Sequence, residues 1–203
     1  MLPMLVLASE SPRRQELLRN AGIPFEVQPA HIPEDVLPGE GAKECAERLA
    51  CEKALSIARK HPHDIVLGAD TVVVVDGELL GKPADAADAR RMLRLLSGRK
   101  HEVITGVCLV ASGVPSISSA TTVVTVNELT DQEISDYVTG GEPMDKAGAY
   151  AIQGIASRWI PRIEGDYSNV VGLPVALVFR MLREAAASKV WQPVTTAHEN
   201  DTS

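Results

Sequence analysis

The chain has 203 residues, 45% of them hydrophobic and 23% charged, with a formal net charge of −7 and a sequence pI near 5.3. That is room for one well-buried domain, or for two small lobes sharing a core. The acidic surplus and the 3% aromatic content speak against nucleic acid or an anionic membrane as a general partner, because the phosphate term needs a basic field. No apolar run approaches the roughly 18 residues needed to span a bilayer, and the N-terminus lacks a basic region followed by a signal core, so the expected compartment is the cytoplasm. Cys45, Cys51 and Cys108 show no CxxC spacing and the histidines no HExxH spacing, which predicts reduced cysteines and no dedicated zinc site.

In chain order, a short apolar strand is expected over Met4–Ala8, then a helix from Pro12 to Asn20 with Ser11 as N-cap and Gly22 as its stop. Arg13 and Arg14 fall in the first turn, at the positive end of the helix dipole, each costing about 0.3–1 kcal/mol if uncompensated. Either an anion docks on this strand-to-helix loop, with Ser9, Ser11, Arg13 and Arg14 around a phosphate, or the arginines point into solvent. Phe25–Gln28 reads as a short strand, followed by a polar loop with Glu34 and Asp35 and a long helix over Ala42–Arg59.

Ile65–Ala69 is expected as a short strand ending at Asp70, and Thr71–Val75 and Glu78–Leu80 flank an Asp76-Gly77 hairpin turn. Asp85 and Asp88 open a helix with Ala89, Met92, Leu93 and Leu96 on one face, closed by Gly98. Paired strands are expected at His101–Val110 and Thr121–Val126, joined by a Ser/Gly loop, and Thr130-Asp131-Gln132-Glu133 is a capping box. Ala149–Ile152 and Arg158–Ile163 read as two more strands, and Pro174 starts a last helix. The alternation of helical and strand patterns predicts an α/β fold, with one domain over residues 1–188 and a polar, frayed tail over 189–203.

Four side chains stand out by position. Asp70, at the end of an apolar strand, suits a metal ligand, a water-orienting base or a turn cap. Lys53 shares a buried helical stripe with Ala42, Ala46, Leu49 and Ile57, so it must snorkel or meet an anion such as Glu34, Asp70 or a phosphate. Lys82, between Gly81 and Pro83, is either a phosphate contact or a solvated loop lysine. Gln153 sits in a Gly-containing loop; its amide matches the N3–H and a carbonyl of uracil or thymine, but by itself it reads as an exposed loop residue.

Taken together, LASESPRRQELL, the Glu34 loop, ERLACEKA, LGADTVVVVDGELLGKP, LSGRKHEVITGV, DKAGAYAIQG and NVVGLP resemble the Maf family of nucleoside triphosphate pyrophosphatases. The resemblance runs from Leu5 to about Glu184 and implies a two-lobed mixed sheet flanked by helices with a deep central cleft, similar to the inosine triphosphatases. It implies hydrolysis of a nucleoside triphosphate to the monophosphate and pyrophosphate, a divalent cation (Mg²⁺ or Mn²⁺) and a homodimer. Asp70 is then the implied proton acceptor, Glu34 and Asp70 the metal pair, and Ser9, Ser11, Arg13, Arg14, Lys53 and Lys82 the phosphate set. Arg13, Thr71 and Gln153 resemble the subfamily acting on dTTP and UTP rather than its 7-methyl-GTP sister. Glu10 departs from the small residue of many relatives and adds negative charge beside the phosphate loop. The rivals are a house-cleaning enzyme for modified nucleotides and a nucleotide-sensing regulator of division.

Overall fold

The computed structural model describes residues 3–187; the expected frayed tail lies outside the described residues. The strands are β1 (Leu5–Leu7), β2 (Glu26–Val27), β3 (Ile65–Val75), β4 (Glu78–Leu80), β5 (Lys100–Ala111), β6 (Val114–Thr125) and β7 (Arg162–Glu164). The α-helices are α1 (Pro12–Asn20), α2 (Ala42–Ala58), α3 (Ala86–Leu96), α4 (Asp131–Thr139), α5 (Tyr167–Val171) and α6 (Val175–Ala187). All seven strands form one mixed sheet in the order β2-β1-β3-β5-β6-β7, with β4 on the outer edge of β3.

The sheet is built on β3. Its inner edge pairs antiparallel with β5 from Ile65 to Val74. Its outer edge is shared: β1 pairs in parallel with Ile65–Leu67, and β4 pairs antiparallel with Val73–Val75. Between them, residues 68–72 have no strand on that side. This corrects the expected short strand ending at Asp70. Asp70 lies in the middle of one 11-residue strand, because continuous pairing with β5 carries the chain through it. The opening into which Asp70 faces comes from β1 stopping short.

Alternation along β3 sends Val66, Gly68, Asp70 and Val72 to the α2 face, and Leu67, Ala69, Thr71 and Val73 to the other. Gly68 and Gly106 are the seats of α2: a Cβ on Gly68 would lie 2.1 Å from the Ala50 carbonyl oxygen, and one on Gly106 2.3 Å from that of Ala46. On the opposite face two apolar clusters flank the sheet. One gathers Leu80, Met92, Leu93, Ile134, Tyr137 and Trp159 around α3 and α4; the other gathers Leu5, Leu18, Leu67, Leu173, Met181 and Leu182 around α1 and α6. A cleft opens at the bare stretch of β3, lined by the β1–α1 loop, α2 and residues 144–153.

Other expectations change for identifiable reasons. The Ser/Gly loop is strand: only Ser112-Gly113, both left-handed (φ 50° and 77°), make the turn, and β6 pairs with β5 from Val114 onward. Ala149–Ile152 is not a strand but follows a 3-10 turn in which Gly148 and Ala149 have positive φ (69° and 58°), a conformation incompatible with a ladder. Ile155–Trp159 is likewise a 3-10 turn, leaving only Arg162–Glu164 to pair with β6, and α5 was not expected at all. The Thr130 capping box is present in full. No helix of the described residues is long and apolar enough to cross a membrane.

His101 on β5 is 2% exposed, bonds Tyr150 Oη at 2.8 Å and leaves Nδ1 unpartnered. Burial pushes its imidazole down from 6.5 to about 4. A lowered histidine is neutral in the fold while the unfolded chain takes up the proton, so stability is lost as pH falls from about 6.5 towards about 4. Between pH 7 and pH 5 the loss from this residue should be about 2 kcal/mol. Urea midpoints across that range should slope less for His101→Leu than for the native chain; equal slopes would remove His101 as the cause.

Candidate active site

One cleft of about 910 Å³ is lined by every residue singled out from the sequence: Ser9, Ser11, Arg13, Arg14, Glu34, Lys53, Asp70, Thr71, Lys82 and Gln153. Five cationic side chains line it, against four carboxylates, in a chain that is acidic as a whole.

At its centre is Lys53, which does not snorkel. The residue is 6% exposed, and Nζ donates to Asp70 Oδ1 at 2.6 Å and pairs with Glu34 Oε1 at 2.7 Å. An unpaired buried ammonium would be costly, so the two carboxylates are what allow lysine on this stripe. Lys82, largely exposed, approaches Glu34 Oε2 at 3.4 Å. Burial acts to raise the Glu34 carboxyl, but the hydrogen bond and charge of Lys53, with Lys82 added, bring it below its ordinary value. The loop carrying Glu34 is held by Arg48 on α2. Its guanidinium grips Glu40 through two bonds (Nε–Oε1 2.6 Å, Nη2–Oε2 2.8 Å) and donates to the Asp35 carbonyl oxygen at 2.9 Å. The sequence shows Arg48 inside the ERLACEKA motif without a role.

The β1–α1 loop forms one wall. Ser11 occupies the N-cap position but makes no side-chain cap; its N–H instead donates to Ser9 Oγ at 3.2 Å. The two arginines diverge. Arg14 turns inward and donates to the Gly172 carbonyl oxygen (2.8 Å), Thr71 Oγ1 (3.1 Å) and Ser9 Oγ (3.2 Å). Burial lowers its guanidinium below the ordinary value, opposed by the charges of Asp70 and Glu34. Arg13 crosses the cleft to Asp145, Nη1 to Oδ2 at 3.0 Å. Thr71 lies on the face opposite Asp70, bonded to Thr105 Oγ1 at 2.9 Å as well as to Arg14, so its hydroxyl is engaged in holding that arginine.

The far wall carries Asp145, Lys146 and Gln153. Lys146 is mostly buried and its Nζ donates to the Glu142 carbonyl oxygen (2.6 Å) and to Asp145 Oδ1 (2.5 Å). It is a cleft cation that the sequence showed in its motif without a role. Among the described residues no three His, Cys, Asp or Glu side chains converge as a metal-ligand set; Glu34 and Asp70 are a pair.

Residues 4–185 match the family model described as Maf-like protein. The chain belongs to the Maf family. Curated relatives in that family include the dTTP/UTP pyrophosphatase of Koribacter versatilis, 60% identical over 181 residues, which span 89% of this chain and 94% of the relative. Those of Symbiobacterium thermophilum and Anaeromyxobacter dehalogenans are 52% and 50% identical, over 90% and 95% of this chain and 94% and 99% of theirs. The Maf motifs quoted from the sequence therefore fall on the cleft walls: SPRR on one side, DKAGAYAIQG on the other, and GADT between them.

Partial burial would raise the Asp145 carboxyl, but the hydrogen bonds and charges of Lys146 and Arg13 carry it down to about 2. A depressed carboxylate contributes stability above its unfolded value of 3.8 that disappears as pH falls towards about 2. Carbon-13 titration of Asp145 should therefore give an acidic midpoint, and Arg13→Gln should move it upward. An unmoved midpoint would mean that the cross-cleft pair does not form in solution.

Proposed function

We propose that this chain hydrolyses dTTP and UTP to the nucleoside monophosphate and pyrophosphate, with water attacking the α-phosphorus. The observation that carries this reading is the convergence of Arg13, Lys53, Lys82 and Asp70 on one cleft, in a chain so similar to curated dTTP/UTP pyrophosphatases. The triphosphate tail lies along the cationic side chains, of which Arg13 and Lys82 exchange their present carboxylate partners for phosphate oxygens. Arg13 leaves Asp145, and Lys82 leaves the more distant Glu34 oxygen. Ser9 and the first-turn backbone of α1 lie at the helix end that favours anions.

Lys53 holds Asp70 through Oδ1 and fixes the carboxylate against the cleft floor. Asp70 accepts the proton of the attacking water. The water oxygen bonds to the α-phosphorus, the bond from that phosphorus to the oxygen bridging to the β-phosphorus breaks, and pyrophosphate leaves with the bridging oxygen. Charge neutralisation and positioning supply most of the acceleration in such reactions.

Glu34 and Asp70, two carboxylates drawn together on Lys53 Nζ, are the residues that would hold a hard divalent cation. Glu34 and Asp70 supply carboxylate oxygens, and phosphate oxygens and water would complete the shell that Mg²⁺ or Mn²⁺ prefers. When bound, such an ion supplies Lewis-acid polarisation of the phosphoryl group.

Gln153 faces the same cleft, and we assign it the base edge: its amide pairs with N3–H and a carbonyl of uracil or thymine, whereas cytosine lacks that N–H. Hydrolysis of UTP in ¹⁸O-water should give UMP and pyrophosphate with the label in UMP; UDP and orthophosphate would refute attack at the α-phosphorus. Asp70→Asn should lower kcat by about 10²–10⁴-fold in a chain that still folds and binds UMP, with a lower thermal midpoint because Lys53 keeps Glu34 as its one carboxylate. An active variant would remove Asp70 from the proton transfer.

A further inference from the structure

We propose that Tyr137 and Glu142 are positioning residues for base selection, forming a frame that fixes the turn carrying Gln153. The inference rests on the reading of Gln153 as the base reader. Gln153 is exposed, and its side chain makes no hydrogen bond within the described residues, so its direction is set by its backbone alone. That backbone is a tight turn over residues 151–154, closed by the Gly154 N–H donating to the Ala151 carbonyl oxygen at 3.1 Å.

The turn is tied at its start to one side chain and just past its end to another, and these two bond each other. The Ala151 N–H donates to Tyr137 Oη at 3.2 Å, and the Ile155 N–H donates to Glu142 Oε2 at 3.4 Å. The frame is completed by Tyr137 O–H donating to Glu142 Oε1 at 2.9 Å. Gly154 makes room for it, since a Cβ there would lie 2.1 Å from Glu142 Oε1. The phenol is itself immobilised: Tyr137 is 2% exposed and meets the Trp159 ring edge-on, 5.2 Å between centroids at 89°. Trp159 Nε1 in turn donates to Glu133 Oε1, in the capping box of α4, at 3.1 Å. Burial and the Glu142 bond raise the phenol well above its usual range, so it remains the donor.

An amide that discriminates uracil from cytosine must hold its donor and acceptor within tenths of an ångström of the base edge. A structural frame alone would lower stability when broken; a frame for base reading lowers discrimination. The test measures kcat and KM for UTP and CTP, with thermal midpoints, for the native chain, Tyr137→Phe, Glu142→Gln and Gln153→Ala. Tyr137→Phe keeps the buried ring and removes one oxygen. The UTP-over-CTP ratio of kcat/KM should fall about tenfold, with the loss falling on KM for UTP rather than on kcat. Glu142→Gln should move the ratio in the same direction, which keeps the test open if the first variant folds poorly. Adding Tyr137→Phe to Gln153→Ala should lower the ratio no further. A native ratio in both frame variants, while Gln153→Ala collapses it, would overturn the frame and leave the base reading standing. A native ratio in Gln153→Ala would overturn both.

Discussion

A single buried ammonium organises this molecule. Lys53 reaches from α2 to the middle of β3 and to the loop before α2, and binds Asp70 and Glu34 at once. Removing either carboxylate weakens what makes a lysine tolerable there; removing the lysine leaves two carboxylates facing each other. The same helix carries Arg48, whose forked grip on Glu40 and bond to the Asp35 carbonyl set the position of the Glu34 loop. One rigid element thus holds the centre from both sides, and the site is as well defined as the contact between α2 and the sheet.

The opening in front of Asp70 has an equally simple origin. β1 covers three residues of β3 and β4 covers three others, and the stretch between them faces the cleft. Into that gap come the β1–α1 loop from one side and the 142–155 segment from the other. The cations there are not bare: Arg13 rests on Asp145, Lys53 and Lys82 on Glu34, and Lys146 on Asp145. An acidic chain can keep a cluster of cations in one cleft in this way, because local pairing with carboxylates stabilises them.

Much of this was legible in the sequence. The helical stripe pointed to Lys53 as buried and in need of an anion, and two of the partners it suggested, Glu34 and Asp70, are the ones observed. The helices opened by Ser11-Pro12, Asp85 and Thr130 begin where their starting residues place them. What escaped was long-range. Apolar runs on either side of Asp70 read as two strands, because nothing local reveals that β5 pairs across the aspartate. The Ser-rich segment of β6 read as loop, because its strand character comes from its neighbour rather than its own propensity. The divergence of Arg13 and Arg14 depends on Asp145 and Gly172, more than 130 residues away in each case. The roles of Tyr137 and Glu142 depend on backbone N–H groups, which a sequence does not distinguish from one another.

Gly68 and Gly106 give α2 its close seat, and the consequence reaches beyond packing. These two positions bear no chemistry, yet a methyl group on either would have to push the helix off the strands to clear its carbonyl oxygens. Lys53 would lift from Asp70 and Arg48 would drag its loop with it, so the buried ion cluster and the loop placement would fail as one event. Two missing side chains on the floor therefore govern the whole electrostatic centre above them.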